Sequence, residues 1–190
     1  MGAGVAFTSA SALSLPPVDM ATWSLIVVVT SLWPDLDGKG KLTRFLPPLT
    51  TFMSFLTRKL AGWFYRKTQT PLDYREARIH RGLSHTPLYI LGTSVLLYLA
   101  LLPTNADAFF LASAFLVGNL AHLLGDFASL SGLPLLWPVK VQGKRWYDVK
   151  VPSPLRFRVG GEVERNILTP IMFFMAFGAL ILYVYTYVKG

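Results

Sequence analysis

Apolar blocks separated by two basic stretches set the pattern of this chain. Residues 3–16 are small and apolar with scattered Ser and Thr, and predict a short helix. Leu15-Pro16-Pro17-Val18-Asp19 predicts a turn. An apolar helix follows over 20–33, and Pro34 ends it by forcing Trp33 out of helical geometry. Residues 49–67 are amphipathic: Leu49, Phe52, Met53, Phe55, Leu56, Leu60, Trp63 and Phe64 alternate with Arg58, Lys59, Arg66 and Lys67. That pattern suits a helix lying in a membrane interface. It equally suits a helix packed on the protein's own core.

Thr86-Pro87 reads as an N-cap followed by proline at the first helical position, which predicts a helix over 87–102. Pro103-Thr104-Asn105-Ala106 predicts a tight turn, and 107–126 a further helix. Residues 127–138 are apolar but broken by Gly132, Pro134 and Pro138, so a re-entrant or substrate-lining loop fits better than a span. Residues 166–188 are the longest apolar run and the clearest spanning helix. Several other runs fall short of the ~20 residues a full crossing needs, which predicts a bundle that is partly interfacial or thins the bilayer.

Composition agrees. The chain has 190 residues, enough for a single domain over 1–190, with 53% hydrophobic and 15% charged residues. A mean hydropathy of +0.46 points to a membrane protein. The absence of cysteine excludes disulfides and thiolate metal sites. No Lys or Arg precedes Lys39, so the N-terminus lacks the positive region of a secretory signal peptide.

The net charge of +8 is unevenly placed, and its placement gives a topology. Residues 38–81 and 139–165 hold seventeen of the eighteen Lys and Arg residues. The positive-inside rule puts both stretches in the cytoplasm, and the chain then crosses five times. The expected architecture is an all-α integral membrane bundle of about five membrane helices plus an interfacial amphipathic helix. Its partner would be membrane lipid ahead of nucleic acid.

The candidate chemistry falls at the helix ends this topology places on one face. Two of the three histidines lie in His80-Arg81-Gly82-Leu83-Ser84-His85-Thr86-Pro87, and the third in Gly118-Asn119-Leu120-Ala121-His122-Leu123-Leu124-Gly125-Asp126. Trp33-Pro34-Asp35-Leu36-Asp37 adds two carboxylates, and Glu162 and Glu164 add two more at the start of the last helix. Imidazole with carboxylate is a ligand set that zinc and other divalent metals accept. His122 and Asp126 stand at i and i+4, on one helix face. His80 and His85 converge only if His80 lies in the preceding loop. A lone histidine at a helix end is usually an ordinary hydrogen-bonded side chain. Ionisable groups gathered near a bilayer are costly and read as functional. Arg81 suits the clamping of an anionic oxygen, or equally a snorkelling surface charge.

Three of these motifs, with Gly132-Leu133-Pro134-Leu135-Leu136-Trp137-Pro138 and Gly160-Gly161-Glu162-Val163-Glu164-Arg165, resemble the YdjM-like family of membrane-bound metal-dependent hydrolases. The resemblance runs from about residue 30 to about residue 170. The His-Arg-Gly-x-Ser/Thr-His element is quite specific; Pro-Asp-x-Asp alone is not. The family is distantly similar to zinc-dependent phospholipases C and single-strand nucleases, which are all-α and hold zinc with His and Asp. That implies a late Glu ligand, here Glu164. Family members carry a histidine just before the first helix, where this chain opens Met1-Gly2-Ala3-Gly4. Either that ligand is lost or the true start lies upstream.

The resulting expectation is a hydrolase of the inner membrane. It would cleave an anionic phosphoester at the cytoplasmic face, using water activated by one or more divalent ions, zinc first among them. Asp35, His80, His85, His122 and Asp126 are the expected metal ligands. Asp37 and Glu164 would be ligands of a second ion or the general base, and Arg81 would stabilise developing negative charge. The rivals are an ion transporter and a non-catalytic, metal-binding scaffold.

Overall fold

The computed structural model describes residues 5–6, 9, 16–37, 47–73, 81–104, 106–153, 156–158 and 161–171, and the single positions 174, 177, 178, 181 and 185. Four long helices organise them: α1 (Pro17–Thr30), α2 (Pro47–Thr68), α3 (Pro87–Leu101) and α4 (Ala108–Phe127). Short 3-10 turns occupy Pro34–Asp37 and Leu83–His85. The described positions from 162 to 185 are helical, with a π-helical turn at Glu164–Leu168. Among the described residues there is no β-strand, only three isolated bridges.

Local chemistry explains the boundaries. Pro17 sits in the first turn of α1, so that helix starts three residues before the predicted 20, inside the expected turn. Thr86 caps α3 by accepting a hydrogen bond from the Tyr89 N–H at 3.2 Å, with Pro87 at the first helical position. Asp107 caps α4 in the same way, accepting from the Phe110 N–H at 2.9 Å. Residues 128–153 form turns and bridges rather than a span, as their glycine and prolines predict. Within them Gln142 and Gly143 both have positive φ, the geometry of a tight two-residue hairpin closed by the Val141–Lys144 bridge.

α4 is the central helix, packed against α1 on one side and α3 on the other. Gly118 lets α1 and α4 meet: a Cβ there would overlap Thr30 Oγ1 and lie 2.5 Å from the Val27 carbonyl. Ala6, Met20, Trp23, Val27 and Ala114 form the core along this contact, and Ile90, Leu123 and Leu133 the core against α3. A third cluster, Ala61, Tyr65, Leu83 and Trp146, ties α2 to the 83–85 turn and the basic hairpin. The outward faces of the helices are also apolar, with Leu25 and Val29 on α1, Leu91, Val95 and Leu96 on α3, and Phe109 and Leu124 on α4 exposed. Contiguous apolar surface of this kind marks contact with lipid or protein.

Among the described residues, α4 alone is long and apolar enough to cross a bilayer; α3 is apolar but shorter. The core-packing reading of residues 49–67 holds in part. α2 buries Ser54, Ala61 and Tyr65 against the protein and exposes a second apolar face. The predicted helix over 3–16 lies mostly outside the described residues, although Ser9 accepts a hydrogen bond from Trp23 Nε1 at 2.8 Å.

Candidate metal centre

The chain end of α1, the start of α3 and the last turns of α4 meet at one point. Gly118 sets the α1–α4 distance one turn before His122, so His122 comes level with the 34–37 turn that follows α1. The 34–37 and 83–85 turns touch each other, and α2 packs across both.

His122 Nε2 lies 3.3 Å from His85 Nε2, 3.6 Å from Asp35 Oδ1 and 3.7 Å from Asp126 Oδ2. His85 Nε2 lies 3.4 Å from Asp126 Oδ2. One ligand atom each from Asp35, His85 and His122 falls within a 4.8 Å group. Donors at zinc–ligand distances of 2.0–2.1 Å in a tetrahedron stand roughly 3.3 Å apart. The four spacings are close to that edge length.

Each residue of the 81–87 motif has a distinct job. Arg81 adopts a left-handed backbone, φ 57°, which costs a residue with a side chain about 1–2 kcal/mol. In that conformation its Nη2 donates to Asp126 Oδ1 at 3.0 Å and its Nη1 to Ser129 Oγ at 2.9 Å. Gly82 follows with φ −97° and ψ −122°, outside the main regions open to side chains. Leu83 enters the core. Ser84 Oγ lies 2.9 Å from His85 Nδ1 in a buried contact, which orients the ring and leaves Nε2 facing the other donors. His85 itself is 0% exposed. Thr86 and Pro87 then start α3.

Asp126 is held in an ion pair with Arg81 beside the two histidines. Arg81 Nε lies 2.9 Å from its Oδ2, close but out of line for a hydrogen bond. Oδ2 is buried and has no aligned hydrogen-bond partner among the described residues. A buried carboxylate is costly unless opposite charge offsets it, and the Arg81 guanidinium supplies that charge here. Asp35, His85 and His122 therefore form a group that fits a metal ion, with Asp126 beside the two histidines.

The predicted site residues divide as follows. Asp35, His85, His122 and Asp126 come together, and Arg81 joins them through Asp126. Asp37 ends the 34–37 turn two residues beyond Asp35, and Glu164 opens the π-helical turn. His80 lies outside the described residues. The sequence reading missed Ser84 and Ser129, the partners that orient His85 and Arg81. Ser84, beside a histidine in a motif already singled out, was findable; Ser129, 48 positions from Arg81, had no local signal.

Comparison with known proteins places the chain. It is 26% identical over 141 residues to the Escherichia coli (strain K12) protein named inner membrane protein YdjM, a match covering 71% of this chain and 62% of that protein. The Shigella flexneri protein of the same name matches with the same identity and coverage. The matched stretch thus spans less than two thirds of those curated relatives. No solved structure matches. The family model described as YdjM inner membrane protein matches residues 1–189, and the chain belongs to that family.

Proposed function

We propose that this chain is a multi-pass protein of the inner membrane and a metal-dependent hydrolase of phosphoesters, with its site on the cytoplasmic face. The observation that carries the reading is the convergence of Asp35, His85 and His122 from three separate segments, their ligand atoms within 4.8 Å of one another, with Asp126 3.4 Å and 3.7 Å from the two histidine nitrogens. Family membership and the apolar outward faces support membrane residence. The concentration of Lys and Arg in 38–81 and 139–165 supports a cytoplasmic site and five crossings.

These four residues would hold a divalent ion, zinc by the nitrogen and oxygen donor set. When bound, such an ion supplies Lewis acidity and brings the pKa of a water towards neutrality. Arg81 holds Asp126 in place from behind and balances its charge. Ser84 fixes which His85 nitrogen faces the centre. Asp35 is the most open of the four, its side chain 42% exposed, so a substrate would approach from its side. His80 is a further candidate ligand of the same centre, and Asp37 and Glu164 are the candidates for a second ion or for the general base. An anionic, membrane-adjacent phosphoester suits a site flanked by basic stretches. Hydrolysis is preferred over ion transport because the charged side chains of α1 and α4 sit near helix ends and α3 has none, whereas a transport path places them at mid-membrane.

The test is metal analysis of detergent-purified protein, followed by assay against phospholipid and short nucleic-acid phosphodiesters, with and without chelator and with His85→Ala. Bound metal and chelator-sensitive turnover lost in His85→Ala are expected. Turnover that survives both treatments would refute the mechanism. Full metal occupancy with no turnover across a broad panel would favour a non-catalytic metal-binding protein.

A further inference from the structure

α2 presents two unlike faces. Its inward face, through Ser54, Ala61 and Tyr65, packs on the protein and against both turns that carry Asp35 and His85. Its outward face repeats at intervals of three and four residues, so one stripe holds Phe52, Phe55, Leu56, Leu60 and Trp63, all exposed. Lys59, Arg66 and Lys67 fall on that same stripe and are exposed too. Lys59 Nζ lies 5.5 Å from the centre of the Phe55 ring, its stem laid along the apolar surface.

We propose that this stripe is a docking surface for an anionic lipid leaflet. Five large apolar side chains would enter the boundary between head groups and acyl chains, with the three cations reaching lipid phosphates. The charge decides between occupants. A second copy of the chain pairing stripe to stripe would oppose like charges, whereas anionic lipid complements them. The adjoining hairpin continues the same chemistry, with Val139, Lys140 and Lys144 all exposed. It is fastened to the end of α2 through Asp73, whose carboxylate accepts from the Trp146 N–H at 3.0 Å. α2 is thus a strut about 10 Å across that holds the metal centre just behind a lipid-bound face. The inference rests on membrane residence and is independent of whether the centre hydrolyses anything.

The chain has no cysteine, so single labels are straightforward. Leu56→Cys and Leu60→Cys would each carry a nitroxide in full-length protein reconstituted into nanodiscs of phosphatidylcholine alone or with phosphatidylglycerol. Depth is read from relative collision with oxygen and a water-soluble nickel chelate. Both labels should lie just below the phosphates. Combining Leu60→Cys with Lys59→Glu, Arg66→Glu and Lys67→Glu should raise nickel accessibility at least twofold in the anionic discs and little in the neutral ones. Aqueous accessibility at both labels, a depth at the bilayer centre, or strong spin–spin broadening from paired copies would each overturn the proposal. An equal response in both lipids would overturn its anionic part. Unchanged metal content and tryptophan fluorescence confirm that the variants are folded.

Discussion

Two aspartates, Asp73 and Asp126, are both withdrawn from solvent and meet opposite surroundings. Asp73 accepts from the Thr70 N–H at 2.6 Å, Thr70 Oγ1 at 2.9 Å, the Arg145 N–H at 3.2 Å and the Trp146 N–H at 3.0 Å. Its own carbonyl accepts from Tyr65 Oη at 2.9 Å, and Trp146 Nε1 donates to Thr68 Oγ1 at 3.0 Å nearby. Every donor there comes from the fold, and the result is a knot joining the end of α2 to the basic hairpin. Asp126 instead meets one cation, with Arg81 Nη2 donating to Oδ1 and Nε 2.9 Å from Oδ2, and its Oδ2 also faces two histidine nitrogens. Burial alone therefore does not distinguish a structural carboxylate from a ligand. The groups that face it do: backbone and hydroxyl donors around Asp73, imidazole nitrogens around Asp126.

Substitutions should separate the two sites. The largest effect is expected from Asp126→Ala or His122→Ala. Each should lower metal affinity by about 100-fold or more, measured by competition with a chromophoric chelator, while thermal unfolding in detergent changes little. Unchanged affinity in both variants would remove this helical pair from the centre.

Asp73→Asn should do the reverse. It replaces an acceptor of several hydrogen bonds by a group that also donates, and should cost about 2 kcal/mol of stability. Metal content at low temperature should be unaffected. Loss of metal without loss of stability would show that the knot and the centre are not separate.

Ser84→Ala comes next. Removing a hydroxyl that orients a ligand histidine should weaken metal binding about tenfold, the lower end for such partners. Ser84→Thr, which keeps the hydroxyl, should restore most of it. Equal weakening in Ala and Thr variants would point to packing rather than ring orientation.

The smallest effect is the pH dependence of the knot. Burial pushes the Asp73 carboxyl up, but the hydrogen bonds from Thr70, Trp146 and Arg145 more than offset it and hold the pKa below the usual aspartate value. A group lowered in the folded state stabilises above its unfolded pKa of roughly 3.9, and that contribution is lost as pH falls through the folded value. Thermal unfolding compared between pH 7 and pH 3 should therefore fall further in the native protein than in Asp73→Asn. Parallel profiles would mean that Asp73 is not held ionised by the fold.

The sequence by itself determined the four long helices and their ends, because those depend on neighbours within a few residues. Pro34, Thr86-Pro87 and the broken 127–138 stretch each act locally, and each predicted boundary falls within a few residues of the observed one. It also placed His122 and Asp126 on one face, since helical spacing alone does that. What it left open depends on contacts between segments. The outward stripe of α2 and its buried face carry similar apolar residues, so only packing could say which side met the protein. Arg81, read as a free clamp for an anionic oxygen, has both Nη atoms engaged by Asp126 and Ser129, 45 and 48 positions away. The difference between Asp73 and Asp126 is of the same kind. A carboxylate's lone pairs are satisfied or left open by donors from distant segments, and only the folded chain brings those donors into place.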